Sequence, residues 1–240
     1  MASNLLIITF DQLREDVCTG IKGKDVMPNI WKLSRGSRET TDCYTTAPAC
    51  VPARLSWLTG EFSSRYRVTN NKDINVDSNI NSIFRDISET HDIHIIGKTH
   101  WTSHSYECDL RDNIEMIKTL GIRTIEEIGG PRALMRVRCN LTDTWREKGY
   151  LDKYRKSMLE RYRTADKNDA WKVESTVLPI HLYPDVWLAE KAIMKIRSQE
   201  NKKPWIIWLS FIGPHEPFDM PEEWINRNYK FKDEIKNKIE

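Results

Sequence analysis

The sequence predicts an α/β fold in which a mainly parallel sheet is covered by helices on both faces. Three short apolar segments, rich in isoleucine and aromatic residues, indicate buried strands over residues 4–10, 93–97 and 205–213. Amphipathic helical patterns separate them. Strands that alternate with helices favour parallel pairing, because a parallel crossover is long enough to contain a helix.

Each predicted strand has a clear end. The first, NLLIITF, begins almost at residue 1 and stops at Asp11, the second ends at Gly97, and the third ends in Gly-Pro. The longest apolar runs, NLLIITF and PWIIWLSFIG, are too short to cross a bilayer. We therefore expect no membrane-spanning segment.

The helical patterns between the strands have recognisable starts. MPNIWKLSRGS has Pro28 near its beginning, and DSNINSIFRDISET follows a cap at Asp77 or Ser78. In YPDVWLAEKAIMKIRSQE we interpret Asp185 as the cap. The apolar faces predicted for the last two helices are Ile80, Ile83, Phe84 and Ile87, and Val186, Ala189, Ile193 and Ile196.

We expect residues 1–240 to form one domain, with a mostly helical insertion over 138–176. The aromatic residues of that insertion would either form a substrate lid or pack as ordinary core; they are Trp145, Tyr150, Tyr154 and Trp171. The C-terminal NRNYKFKDEIKNKIE contains no helix stop signal, so we expect the C-terminal part of the domain to be absent. An uncovered sheet edge would then favour a homo-oligomer.

Charge, the N-terminal segment and the cysteine count argue against several classes of partner and site. A net charge of +2 gives no reason to expect nucleic acid or a membrane surface as partner. The N-terminus lacks the basic start of a secretory signal, so we expect a cytoplasmic protein. The five cysteines include no CxxC pair, which argues against a zinc knuckle or a disulfide framework.

Polar residues follow all three predicted strands. Asp11 and Gln12 follow the first, Lys98 and His100 the second, and His215 the third. Each alone has an ordinary explanation, such as a turn former or a surface histidine. Ligands bind at the carboxyl ends of parallel strands, so their coincidence at one edge indicates a functional site.

The segment CVPARLSWLTG, from Cys50 to Gly60, places a cysteine at the start of a helix with Pro52 in the first turn. The helix N-terminus favours negative charge, and Arg54 adds a cation one turn further on. A small buried cysteine at a helix start is one interpretation, and a redox or thiol-nucleophile site is another.

The same segment resembles the sulfatase signature C-x-P-[SA]-R followed by Thr-Gly. FDQLRED, GKTH and GPHEPF follow the family order, and the resemblance runs from residue 4 to about 225. It implies an alkaline phosphatase/sulfatase-like fold and a sulfuric ester hydrolase acting on a small-molecule sulfate ester. It also implies that a formylglycine-generating or sulfatase-maturating enzyme converts Cys50 to formylglycine, whose hydrate is the nucleophile.

The resemblance assigns roles to the strand-end residues. Asp11, Gln12 and modified Cys50 would bind a divalent metal, with calcium expected and magnesium or manganese as alternatives. Catalytic roles fall to Cys50, Arg54, Lys98, His100 and His215. The two cations would fix the hydrate, His100 would accept a proton from it, and His215 would contact the sulfate and protonate the leaving group.

Two departures from the family pattern leave alternatives open. The Asp-Gln pair resembles the branch of choline sulfatases and phosphonate or phosphodiester hydrolases, so P–O cleavage is an alternative. No Asp-His-Gly or Asp-Asn-Gly supplies further metal ligands, so an inactive truncated homologue is another. We interpret His104 as solvent-facing rather than as reaching the substrate, and Trp101 as either lining the pocket or packing in the core.

Overall fold

The computed structural model describes residues 3–18, 24–40, 42–72, 76–164, 172–199 and 203–225. Its strands are β1 (Leu5–Phe10), β2 (Asp92–Gly97), β3 (Thr124–Glu127), β4 (Glu174–Ser175), β5 (Trp205–Phe211) and β6 (Asp219–Met220). Its α-helices are α1 (Glu15–Cys18), α2 (Pro28–Ser34), α3 (Cys50–Thr59), α4 (Ile83–Ser88), α5 (Ile114–Lys118), α6 (Pro131–Leu134), α7 (Asn140–Glu147), α8 (Leu151–Thr164), α9 (Pro184–Arg197) and α10 (Glu222–Ile225).

Within these ranges, four parallel strands form the main sheet in the order β1–β5–β2–β3. The last of these four strands in sequence, β5, lies between β1 and β2, so Ile206 pairs with both Leu5 and Ile93. Strands β4 and β6 form a separate short parallel pair. The predicted parallel α/β fold is confirmed.

The three predicted strands correspond to β1, β2 and β5, whereas β3 is absent from the sequence-based prediction. The four residues of β3 are TIEE, and they run from exposed to buried along the strand. This strand carries neither a continuous apolar run nor a clean alternation, because it lies at the edge of the described sheet.

Two separate cores cover the two faces of the sheet. One contains Ile96, Ile207 and Leu209 of the sheet, packed with residues of α7, α8 and α9. The other contains Ile93, Ile95 and Trp208, packed with residues of α3 and α4. Both faces are therefore buried, which explains why β2 and β5 are almost continuously apolar.

Two of the predicted helix details are wrong. Helix α4 begins only at Ile83, and its cap is Ser82, whose hydroxyl accepts a hydrogen bond from the Phe84 amide at 3.2 Å. The cap is therefore neither Asp77 nor Ser78, and Ile83 is exposed. The Ser82 hydroxyl also donates to the Leu120 carbonyl at 2.8 Å, which ties the start of α4 to the segment before β3.

The buried face of α9 also differs from the prediction. The buried residues are Pro184, Trp187, Leu188 and Ala192, whereas Ile193 is exposed. The large Trp187 ring takes the core position, so Val186 and Ala189 are only partly buried, whereas Ile196 packs against the core as predicted. Asp185 does not cap the helix: the cap position is Tyr183, with no side-chain hydrogen bond.

The aromatic residues of the predicted insertion pack mainly as core. The rings of Trp145 and Tyr154 are 4.5 Å apart and both are buried, and the Trp145 indole donates to the Leu182 carbonyl at 2.9 Å. Trp171 and the C-terminal residues beyond Ile225 lie outside the described residues.

Strand β1 forms one edge of the described sheet, and Leu5, Leu6 and Ile8 on it are partly exposed. An exposed apolar edge strand is a surface that other strands or chains can cover. None of the described helices is both long and apolar enough to cross a bilayer.

The packing of β2 against β5 predicts a strict requirement for glycine at position 97. Gly97 has a φ of 115°, and a Cβ there would overlap the carbonyl oxygen of Ser210. We expect G97A to lower the free energy of unfolding by about 3 kcal/mol or more, measured by urea denaturation. G36A is the control, because no atom lies within 4 Å of its added Cβ. Equal stabilities of the two variants would contradict this packing.

Candidate active site

The carboxyl ends of β1, β2 and β5 bring Asp11, Lys98 and His215 to one edge of the sheet. Asp11 directly follows β1, and Lys98 directly follows β2. The Asp11 amide donates to the Gly213 carbonyl at 3.1 Å, which ties the loop after β1 to the loop after β5. The positions of these side chains are therefore set by neighbouring parallel strands.

Cys50 is the first residue of helix α3. Ala49 precedes it in an extended conformation and provides no side-chain cap. The Asn71 side chain instead accepts a hydrogen bond from the Val51 amide at 2.9 Å, which satisfies one free N–H of the first turn. Cys50 therefore lies at the N-terminus of α3, beside the strand ends, where the positive end of the helix dipole favours negative charge.

Cys50, Asp11 and Lys98 are in direct contact. The Cys50 sulfur lies 3.7 and 4.0 Å from the two Asp11 carboxylate oxygens and 3.5 Å from Lys98 Nζ. Lys98 Nζ is also ion-paired with Asp11 Oδ2. The sulfur is thus held between a carboxylate and an ammonium group, at the point where three strands end.

Arg54 supplies a second buried cation to the same cluster. Its Nη2 lies 3.8 Å from Asp11 Oδ1, and its Nη1 donates to Ser210 Oγ at 2.9 Å and to the Lys98 carbonyl. The Arg54 carbonyl accepts the Trp101 indole N–H at 3.1 Å. Trp101 is fully buried, so of its two predicted roles the structure shows core packing.

The charge state of Asp11 follows from these contacts. Burial alone would raise the pKa of the Asp11 carboxyl, but Lys98 and Arg54 outweigh burial and hold that pKa below its usual value. Asp11 is therefore a carboxylate at neutral pH, as a metal ligand must be.

Around the cluster lies an open cleft of about 700 Å³. Gln12, exposed and with a φ of 67°, contributes to its wall. Trp57 forms an aromatic part of the wall and is 42% exposed. The other lining residues include Asp11, Cys50, Arg54, Asn71, Arg132, His215 and Glu216.

His215 is oriented by the residue that follows it. Its Nδ1 lies 2.6 Å from the Glu216 carbonyl oxygen and 3.0 Å from Glu216 Oε2, and Arg132 pairs with the same carboxylate. Two oxygen acceptors at Nδ1 favour the tautomer with hydrogen on that nitrogen, which leaves a lone pair on Nε2. Burial is the main cause that lowers the pKa of His215, and the positive charge of Lys98 lowers it further. The ring is therefore neutral at pH 7.

His100 does not line the cleft, although the charges of Arg54 and His215, which do line it, affect the His100 ring. Its ring stacks on His104 with centroids 4.5 Å apart, and its backbone N–H donates to Glu127 Oε1 at 3.2 Å. The interpretation of His104 as solvent-facing is wrong, because His104 is buried beneath His100 and lies 3.6 Å from Glu127. Burial, with His104 adding to it, lowers the pKa of His100 to about 2.

The cluster can accommodate a divalent cation. One ligand atom each from Asp11, Cys50 and His215 lie within 4.8 Å of one another. Asp11 supplies an anionic oxygen. Gln12, the next residue in the sequence, has a side-chain amide oxygen that could be a further ligand. Among the predicted metal ligands, the structure thus brings Asp11 and Cys50 together and places Gln12 at the cleft wall.

The sequence did not reveal several residues that support the site. Asn71, Ser210 and Glu127 belong to no motif, and their contacts depend on the folded chain. Glu216 does lie within the quoted GPHEPF segment, but its role there is visible only from the distance to His215.

Asp185 is a further supporting residue. Its Oδ1 accepts the Ile212 amide at 3.0 Å, and its Oδ2 accepts the Gly213 amide at 3.1 Å. A Cβ on Gly213 would overlap that carboxylate. Because the Gly213 carbonyl also accepts the Asp11 amide, Asp185 helps to fix both Asp11 and the loop that carries His215.

Comparison with known proteins gives three kinds of match. The family described as Sulfatase matches residues 3–239. An arylsulfatase of Clostridium perfringens (strain 13 / Type A) is 24% identical over 240 residues, which is 98% of this chain and 47% of that protein. The chain therefore spans about half the length of the curated relative it matches.

Solved structures with the same fold include a phosphonate monoester hydrolase and a protein solved with a carbohydrate. The phosphonate monoester hydrolase of Agrobacterium radiobacter has a TM-score of 0.58 at 17% identity, covering 93% of this chain and 43% of its own. Ps i-CgsB, solved also with a neocarrahexaose, has a TM-score of 0.60 at 18% identity, covering 97% and 50%. At these identities the likeness concerns the fold.

The environment of Asp185 predicts a pH-dependent stability. Burial raises the pKa of its carboxyl from 3.8 to about 6 in the folded protein. The folded state therefore binds a proton more tightly than the unfolded chain, and the resulting stabilisation is lost as the pH rises from about 4 to about 6. We expect D185N to lack this contribution to the pH dependence of the unfolding free energy, which amounts to about 3 kcal/mol in wild type. Urea unfolding at several pH values measures it.

A control for this measurement is D152N, which changes an exposed carboxylate on α8 and should keep the wild-type slope. If D185N shows the same pH dependence as wild type, Asp185 does not titrate in this range, which contradicts the raised pKa.

Proposed function

This chain belongs to the sulfatase family, and from that premise we propose that it carries the nucleophile-bearing part of a sulfuric ester hydrolase. The observation that supports this most directly is the position of Cys50. Its sulfur lies at a helix N-terminus, 3.7 Å from the Asp11 carboxylate and 3.5 Å from Lys98 Nζ, at the edge of an open cleft.

If Cys50 is converted to formylglycine, the hydrated aldehyde at position 50 would supply the nucleophilic hydroxyl. The N-terminus of α3 favours negative charge on such a hydroxyl. A maturating enzyme that oxidises this cysteine is therefore the partner we propose, with a small-molecule sulfate ester as substrate.

Arg54 and Lys98 act on the charge of the ester. A sulfate monoester is an anion and repels a nucleophile of the same sign, so the site must offset that charge. Both cations are almost fully buried, where a charge is screened far less than at the surface. The bonds from Arg54 to Ser210 Oγ and the Lys98 carbonyl hold it in place before substrate binds.

Asp11 and Gln12 are the residues that we propose to hold a divalent cation beside position 50. Oxygen ligands of this type suit calcium, with magnesium or manganese as alternatives. Such a cation would supply Lewis-acid stabilisation of negative charge on oxygen. Asp11 contributes by staying ionised, because Lys98 and Arg54 keep its pKa low.

The two histidines differ in what they do with protons. His100, with its pKa lowered to about 2, is neutral but only weakly basic, so the proton-acceptor role that we propose for it requires the negative charge of a bound ester beside the ring. His215 is held at Nδ1 by Glu216, so Nε2 is the nitrogen available to the substrate. An anionic ester beside His215 favours its protonated form, which would then donate to the leaving oxygen.

Hydrolysis of a phosphonate or phosphodiester is the second candidate. The Asp11-Gln12 pair supports it, because one carboxylate fewer than an acidic pair leaves the metal site less negative. The exposed Trp57 wall suits an aromatic or other apolar alcohol in either case. The substrates of the two candidates differ in the central atom and in the organic substituent that a phosphodiester or phosphonate carries in place of one sulfate oxygen.

Modification of Cys50 is tested by mass. In protein from the native host, we expect the peptide that contains residue 50 to be about 18 Da lighter than its cysteine form, because sulfur leaves as the aldehyde forms. The peptide that contains the free Cys108 should keep its unmodified mass. An unmodified Cys50 in the active native protein would contradict the proposal.

The role of Arg54 is tested in the full-length protein as its host produces it. We expect the wild-type protein to hydrolyse nitrophenyl sulfate when calcium is added. In R54K we expect kcat to fall about 100-fold, because lysine cannot keep both hydrogen bonds that Arg54 donates to Ser210 Oγ and the Lys98 carbonyl. R65K is the control, since Arg65 is exposed and pairs with Glu61. If the wild-type protein hydrolyses a nitrophenyl phosphodiester or phosphonate faster than nitrophenyl sulfate, the second candidate is favoured. A fully active R54K would contradict the role assigned to Arg54.

A further inference from the structure

With Cys50 unconverted, the site offers a set of metal ligands that differs from the Asp11 and Gln12 oxygens of the proposed function. One oxygen of Asp11, the sulfur of Cys50 and one ring nitrogen of His215 lie within 4.8 Å of one another. We propose that the chain with Cys50 as a thiol binds a borderline-soft divalent metal of the zinc class at these three residues.

The chemistry of the donors favours that class of metal. Thiolate and imidazole are preferred ligands of zinc and cobalt, whereas calcium and magnesium prefer oxygen alone. Three protein ligands in an open cleft leave a fourth position for water, as in open zinc sites. Conversion of Cys50 would remove the sulfur, so the same position changes its metal preference on modification.

Glu216 prepares His215 for this role. The Glu216 carboxylate and carbonyl oxygens lie 3.0 and 2.6 Å from His215 Nδ1. A histidine that donates one nitrogen to a carboxylate offers the other nitrogen as a metal ligand, with its orientation fixed. Arg132, paired with the same carboxylate, holds Glu216 in position.

Lys98 and Arg54 set a limit on the affinity. Both cations balance the charge of Asp11, and Lys98 Nζ lies 3.5 Å from the sulfur. A metal that enters must compete with Lys98 for the carboxylate and displace the proton of the thiol, which is released to solvent. Two anionic ligands, Asp11 and the Cys50 thiolate, then face the two protein cations and the metal.

Cobalt(II) is the probe for this site, because cobalt bound to thiolate has a charge-transfer absorption band. The protein is produced without a maturating enzyme, and intact mass verifies that Cys50 is unmodified. We expect one cobalt per chain with the thiolate band, and release of cobalt when zinc is added. The band should be lost in C50A and H215A, while C43A, which removes an exposed thiol, should keep it.

A variant of the supporting carboxylate makes the test sharper. We expect E216Q to keep the band but to bind cobalt about tenfold more weakly, because the histidine loses its anionic partner. Circular dichroism and melting temperature identify any variant that fails to fold. A band that persists in C50A, or absence of the band in folded wild-type protein, overturns the proposal. Neither result depends on ester hydrolysis, so the proposed function stands or falls separately.

Discussion

The site depends on one buried interaction, the contact of the Asp11 carboxylate with Lys98 and Arg54. Both cations and the carboxylate are almost completely removed from water, and a buried charge without a partner is strongly unfavourable. Each member of this group belongs to a different element: Asp11 follows β1, Lys98 follows β2, and Arg54 lies on α3. Charge balance therefore joins three elements at the point where Cys50 lies.

Backbone contacts make this arrangement rigid. Strand β5 lies between β1 and β2, and Gly97 of β2 packs so closely against Ser210 that no side chain fits. Asp185 holds the loop after β5, which in turn accepts the Asp11 amide through Gly213. The side chains that would act on a substrate are thus positioned by the sheet rather than by flexible loops, which suits preorganised electrostatic stabilisation.

Much of this could be predicted from the sequence, and the rest could not for physical reasons. Asp11, Lys98 and His215 were predictable because each follows a strongly apolar strand, and parallel strands end at one edge. Strand β3 was not, because its four residues lack an apolar pattern. The buried face of α9 and the burial of His104 beneath His100 depend on which large side chain occupies the core, and periodicity does not decide that.

The most direct test of this view is a double-mutant cycle on D11N and K98M, with unfolding free energies measured in urea at neutral pH. If the buried pair organises the site, each single variant leaves a charge without its main partner and the double variant removes both. We expect a coupling energy of about 2 kcal/mol. Effects that add to within about 0.5 kcal/mol would show that Asp11 and Lys98 are energetically independent, and would contradict the central role given to their contact.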